Sequence, residues 1–294
     1  MSKLIISEEF LSQIEMLEML IKNNTAGQFG GNHRSRTYGS SCEFADHRDY
    51  VEGDDTTKIN WNAYARFDKL YLKLFLDERQ MHTRIYIDAS RSMKYGDGSK
   101  ADQAIRVAAA LAYLSICEMD KVSVYAIVGG EVREIISSMV GKESYLSQIN
   151  KLNDIVFEGE CEISRAIMPS KVGYGDGMSV IISDFLTDND FESAIDHLSD
   201  KHRHVLCVQV LSREELNPQI RGRYHLFDSE DAERTFRKNI DRERANAYKA
   251  ALKYVTERIG TQCASRGQDY ILVAADDSLY EVFFEKFVGM EVLK

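Results

Sequence analysis

Hydrophobic and polar positions along this chain follow two different periods, and the switching between them outlines the fold. Apolar residues recur at helical spacing in ISEEFLSQIEMLEMLIKNN, which predicts an amphipathic helix over about 7–23. Ser7 is placed to cap it, with Glu8 and Glu9 in the first turn, where carboxylates suit the helix dipole. A glycine-, serine- and arginine-rich loop over 25–41 follows. Segments 43–50 and 69–77 read as strands, expected to pair antiparallel around the turn Glu52-Gly53-Asp54-Asp55 and a short helical turn with Trp61. From residue 84 the pattern becomes strand, helix, strand, helix. Strands are predicted at 84–88, 122–128, 131–139 (a hairpin partner across Gly129-Gly130), 178–183, 204–211 and 270–274. Helices are predicted at 100–119, 143–152, 163–169, 190–200, 242–266 and 278–287. Apolar strands alternating with helices imply an α/β fold with a mostly parallel sheet covered on both faces. Ligands of such sheets bind at the carboxyl ends of the strands, which is where Asp88 and Asp184 fall.

Composition narrows the class. A chain of 294 residues holds one large or two small domains, and the pattern places the boundary between 1–82 and 83–294. A hydrophobic share of 44% and a charged share of 29% are ordinary for a soluble globular protein. The net charge of −10 argues against nucleic acid as a partner, which requires a basic face. The five cysteines (Cys42, Cys117, Cys161, Cys207, Cys263) are odd in number, widely spaced and lack a C-x-x-C pair. That excludes a disulfide framework or structural zinc as the default and predicts reduced thiols in a cytoplasmic protein. No apolar run reaches membrane-spanning length and the start lacks a cleavable signal pattern, so no membrane insertion is expected.

Candidate chemistry centres on residues 83–93, TRIYIDASRSM. A strand ends on Asp88, and hydroxyls follow at Ser90 and Ser92. A carboxylate with hydroxyls on the next turn can surround one small dication with hard oxygens, the ligands magnesium prefers. Asp184, in IISDF, ends a second strand expected beside the first. Two facing carboxylates repel and raise one pKa, and a dication would relieve that. The competing reading is that Asp88 caps a serine-rich turn and Asp184 caps the helix after it, near Thr187 and Asp188. The cluster His33-Arg34-Ser35-Arg36 reads as a solvated loop able to meet phosphate or an acidic partner, and Lys201-His202-Arg203-His204 as a solvated strand entrance. Arg237, Lys238, Arg242 and Arg244 read as a charged face.

Four segments carry a resemblance: GGNHRSRTYGSSCE (30–43), RDYVEGDDTTKINWNAYAR (48–66), the stretch 70–93 ending in DASRSM, and ELNPQIRGRYHLFD (215–228). In order and spacing the chain resembles the bacterial family called domain of unknown function 58 over roughly 27–290. That resemblance implies a Rossmann-like von Willebrand factor A-type domain, with a mostly parallel central sheet flanked by helices and a small N-terminal β-containing subdomain. It implies a degenerate metal-ion-dependent adhesion site for Mg²⁺ or Mn²⁺ made by Asp88, Ser90, Ser92 and Asp184. Cys161 takes the usual threonine position, and a neutral thiol is a poor magnesium ligand; Glu160, Glu162 and Ser164 are the possible substitutes. Arg48, Gly53, Asp54, Asp55, Trp61 and Arg66 form the signature of the small subdomain, with a structural or partner-facing role. There Gly53 permits a tight turn of positive φ, Trp61 is expected to pack under it, and Arg48 or Arg66 to pair with Asp54 or Asp55.

The resemblance also implies a partner, a MoxR-type AAA+ ATPase, and a role as a non-enzymatic binding module in protein assembly or remodelling. The amino-terminal membrane helices of many relatives are not carried over. Two alternatives stay open. One is a Mg²⁺-dependent phosphohydrolase, although Ser90 stands where that chemistry needs a second acid, and no Walker A loop, G-x-S-x-G or H-E-x-x-H occurs. The other is a structural A-like domain with no metal.

Overall fold

The amino-terminal periodicity forms helix α1 (Glu8–Thr25), and Ser7 caps it: its Oγ accepts the Phe10 N–H at 3.2 Å. The structure is a computed structural model, and it describes residues 6–25, 44–75, 80–94, 99–170, 172, 174–175, 177–187, 189–218, 222–227, 235–240 and 242–288. The basic loop with His33-Arg34-Ser35-Arg36, Cys42, the 30–43 segment and Asp188 lie outside the described residues. The chain divides into two units, 25–80 and a larger one made of 1–24 with 81–294. The expected division grouped helix α1 with the small unit, and this is corrected. Phe10, Ile14 and Leu17 recur on one face of α1 and, with Ile6 just before it, are buried in the core of the large unit, so burial of that stripe decides where the helix belongs.

In the small unit, β1 (Phe44–Asp49) pairs antiparallel with β2 (Tyr71–Phe75). Between them lie a 3₁₀ turn (Thr56–Lys58) and α2 (Trp61–Phe67). Among the described residues its core is Ile59 and Leu72 with Tyr50 against them.

In the large unit, β3 (His82–Asp88) leads through α3 (Arg91–Lys94) to α4 (Ser99–Cys117). Then come β4 (Lys121–Val128), β5 (Glu131–Met139), α5 (Lys142–Gln148), a 3₁₀ stretch (Ile149–Asp154) and α6 (Ile163–Ile167). Next are β6 (Met178–Ser183), α7 (Glu192–Asp200), β7 (His204–Leu211) and α8 (Arg213–Leu216). A hairpin of β8 (Gly222–Phe227) and β9 (Thr235–Ile240), absent from the sequence reading, precedes α9 (Arg242–Ala264). Strand β10 (Asp269–Ala274) and a closing π-helix (Glu281–Val288) end the unit.

The six-stranded sheet runs β10-β7-β6-β3-β4-β5, parallel except for the antiparallel edge strand β5. Numbered within the sheet, that order is 3-2-1-4-5-6, the doubly wound order. The expected α/β class with a mostly parallel sheet flanked by helices is what the chain forms. Strand parity explains the two cores. Ile85, Ile87, Val180, Ile182, Leu206 and Val208 face the α1 and α4 side. Tyr86, Ile181, Val205 and Cys207 face the α6, α7 and α9 side. Five alanines on α4, 104, 108–110 and 112, are fully buried, which lets that helix lie close on the strands. Chain connection reverses direction between β3 and β6, so their carboxyl ends flank the crevice where such sheets bind ligands.

Candidate functional site

Asp88 closes β3 and Asp184 follows β6, so the two acids flank that crevice on adjacent strands. Asp88 is buried. Its Oδ1 accepts the Ser90 N–H at 2.8 Å and its Oδ2 accepts the Ser183 hydroxyl at 2.5 Å. The Ser90 and Ser92 hydroxyls pair with each other at 3.0 Å. The Ser183 hydroxyl in turn accepts the Phe185 N–H at 3.0 Å, which holds the turn after β6, where Phe185 takes a left-handed φ of 50°. Burial, then the Asp184 carboxylate, push the Asp88 carboxyl above its ordinary range, while Ser183 and Ser90 pull it back.

Asp184 is 3% exposed, and its two oxygens are also engaged. Oδ1 accepts the Leu186 N–H at 3.1 Å, and Oδ2 meets the Lys100 ammonium at 2.9 Å. Lys100, in the first turn of α4, is itself 4% exposed. Its Nζ donates also to Glu215 Oε1 at 2.7 Å. Glu215 is fixed from the other side, because its Oε2 accepts the Ser212 N–H in a capping box that starts α8. Burial pulls the Lys100 amine down, but the Asp184 and Glu215 carboxylates outweigh it and hold it above its ordinary range. Gln209 anchors the backbone of the site by donating to the Asp184 carbonyl at 2.7 Å. Sequence reasoning singled out neither Lys100, Ser183 nor Gln209, and it met Glu215 only as the start of a family segment.

Of the sequence-predicted site residues, Asp88, Ser90 and Ser92 come together with Asp184 nearby, and Cys161 does not join them. The Cys161 side chain packs in the second core with Tyr86, Ile127 and Ile163. Its carbonyl accepts from Asn189 Nδ2 at 3.2 Å, and its strand-like backbone bridges Gly129. Two of its expected substitutes have partners elsewhere. Glu162 pairs with Arg165 at 3.1 Å, and the Ser164 hydroxyl accepts the Ala194 N–H at 3.0 Å. Glu160 is exposed.

The donor set of Asp88, Ser90, Ser92 and Asp184 does not fit a dication shared by the two carboxylates. Each of its side-chain oxygens already has a hydrogen-bond partner. One of those partners is an ammonium on the Asp184 carboxylate, so a dication bridging the acids would face a buried like charge across a single carboxyl group. Among the described residues no group of three or more His, Cys, Asp or Glu side chains is placed to hold a metal.

In the small unit, Arg48 pairs with Asp54 at 2.6 Å, and Asp54 Oδ2 accepts the Val51 N–H at 3.0 Å. Gly53 takes a φ of +105°, as the turn requires. Asp55 caps the 3₁₀ turn through the Thr57 N–H at 3.0 Å. The expectation that Trp61 packs under the turn is corrected. Trp61 is 60% exposed and stands edge-on to Tyr64. Arg66 is exposed on the same helix. At the amino ends of the strands, His202 and His204 are exposed, as the solvated reading of 201–204 has it, and Arg203 alone departs from that reading. Arg203 is 4% exposed and donates to Ser179 Oγ and the Met178 carbonyl, each at 2.6 Å, and to the His82 carbonyl.

Compared with known proteins, residues 46–257 match the family described as "Protein of unknown function DUF58". An uncharacterized protein of Mycobacterium tuberculosis is 23% identical over 224 residues, spanning 74% of this chain and 70% of that relative. Among solved structures, the chain is similar to the VWA domain of SpRpn10, with 10% identity and a TM-score of 0.38 over 68% of this chain and 92% of that one. It is also similar to an aerotolerance-related membrane protein from Bacteroides fragilis, with 16% identity and a TM-score of 0.34 over 62% of this chain and 99% of that one. That neighbour is described as a membrane protein, and on this finding the cytoplasmic location expected from composition is withdrawn. Among the described residues no helix is long and apolar enough to cross a membrane.

Proposed function

This chain belongs to the DUF58 family, and on that premise we propose that it is a non-enzymatic protein-binding module whose partner docks at the carboxyl end of the central sheet. One observation carries the reading. The titratable groups at the strand ends are buried and satisfied by one another, while the loops they brace present an exposed rim. The rim is built from Arg91 and Lys94 after β3, Val156, Glu158 and Glu160 before α6, and Leu186 after β6. Its loops are stitched together, with the Arg91 N–H donating to the Gly159 carbonyl at 2.9 Å and the Glu158 N–H to the Ala89 carbonyl at 2.8 Å. A rim of mixed charge around a few apolar side chains, with two of its loops hydrogen-bonded to each other, suits a protein surface.

The MoxR-type AAA+ ATPase implied by the family resemblance is the proposed partner, with this chain as its adaptor. The phosphohydrolase alternative is disfavoured. Asp88 has both oxygens occupied and is shielded from solvent, and Ser90 supplies no second acid. The test is capture of a MoxR-type ATPase from the same genome by the immobilised chain, beside the folded double variant Arg91→Glu/Lys94→Glu. Capture lost in the variant supports docking at this rim; equal capture by both removes the rim from the proposal.

A further inference from the structure

We infer that Lys100 stands permanently in the place of a divalent cation at Asp184, so that this carboxylate is held by an ammonium of the chain itself and the Asp88–Asp184 cluster takes no metal. The inference goes beyond the binding role proposed above and does not depend on it.

Two carboxylates at adjacent strand ends need a proton or a cation between them and their surroundings. Here the cation is covalent. Lys100 reaches from α4 to Asp184, just after β6, and to Glu215 on α8, at 2.9 and 2.7 Å. Local preference does not explain a lysine at this position. It sits in the first turn of a helix, the end that favours anions, and it is almost fully buried. A lysine in that place persists only if its ion pairs offset both penalties. Glu215 completes the arrangement, since its second oxygen is tied to the Ser212 N–H and α8 is thereby locked to the site. An ammonium only donates hydrogen bonds; two of its three N–H groups reach Asp184 and Glu215, so it links the three elements but coordinates no outside ligand as a dication would.

The inference makes ammonium and dication mutually exclusive occupants. The test is Mn²⁺ titration by calorimetry of the full chain, beside an opened variant, Lys100→Ala/Glu215→Gln, which removes the ammonium together with one carboxylate. The wild type is expected to give no saturable heat at millimolar Mn²⁺. The opened variant is expected to bind one Mn²⁺ and to gain melting temperature with it, and adding Asp184→Asn is expected to abolish both effects. Should the opened variant be unfolded without metal, refolding on Mn²⁺ addition, followed by circular dichroism, reads the same linkage. Saturable Mn²⁺ binding by the wild type that disappears in Asp88→Ala overturns the inference. An opened variant that gains neither binding nor structure from Mn²⁺ overturns it equally.

Discussion

Replacing Lys100 by methionine keeps most of the side chain's volume and removes only the ammonium. At an effective dielectric of about 20, a unit charge pair at 2.9 or 2.7 Å is worth roughly 6 kcal/mol. Desolvation of the ammonium and of Asp184 takes back much of each. Glu215 keeps 23% of its side-chain surface exposed and can turn toward water, so most of the loss falls on Asp184, which stays buried and uncompensated. Removing one partner of such a pair costs about 3–5 kcal/mol. For a unit of this size, with m of about 3 kcal/mol/M, the urea midpoint falls by roughly 1–2 M. Far-UV circular dichroism is the appropriate probe, because the chain's one tryptophan, Trp61, lies in the small unit. The double variant Lys100→Met/Asp184→Asn removes the stranded charge and is expected to regain most of the midpoint. A single variant within about 0.5 kcal/mol of wild type, the range of ordinary surface substitutions, refutes the assignment of Lys100 as the buried cation.

Three further predictions concern the amino ends of the strands. His82 is held down to about 4 by burial and by Arg84, Lys121 and Arg203, so its neutral form belongs to the folded state. The stability it contributes is present above its ordinary value of 6.5 and is lost as pH falls toward about 4; urea midpoints across that window should flatten in His82→Gln, and an unchanged slope would exclude His82 as the source. Gly177→Ala would set a Cβ 2.6 Å from the His82 carbonyl oxygen, and roughly 1–3 kcal/mol of destabilisation is expected by thermal unfolding. Arg203→Met strands the Met178 and His82 carbonyls and the Ser179 hydroxyl; a loss on the order of 3 kcal/mol is expected, and Arg203→Lys should recover little because an ammonium cannot span the same three acceptors.

What could be read from the sequence was what local periodicity encodes. The alternation of Ile85 and Ile87 against Tyr86 marks a strand buried on both faces, and its ending on Asp88 marks the strand's carboxyl end. Asp184 could be read the same way. Lys100 could not, because its partners lie 84 and 115 residues away and a lone lysine in a helix reads as solvated. One signal was available: a cation in the first turn of a helix whose next turns are nearly all alanine and aliphatic residues works against the dipole. Arg203 was hidden by the charged string around it. Room for its guanidinium is left by Gly177, where a Cβ would come within 3.0 Å of the Arg203 Nη1. The β8–β9 hairpin was missed because both strands interrupt their apolar residues with charged and polar ones.

The most direct measurement is capture of the MoxR-type ATPase by the full chain in EDTA and again with Mg²⁺. Equal capture in both buffers, lost only in Arg91→Glu/Lys94→Glu, is expected for a rim braced by a built-in ammonium. Capture that vanishes in EDTA, returns with Mg²⁺ and ignores the rim substitutions would contradict it.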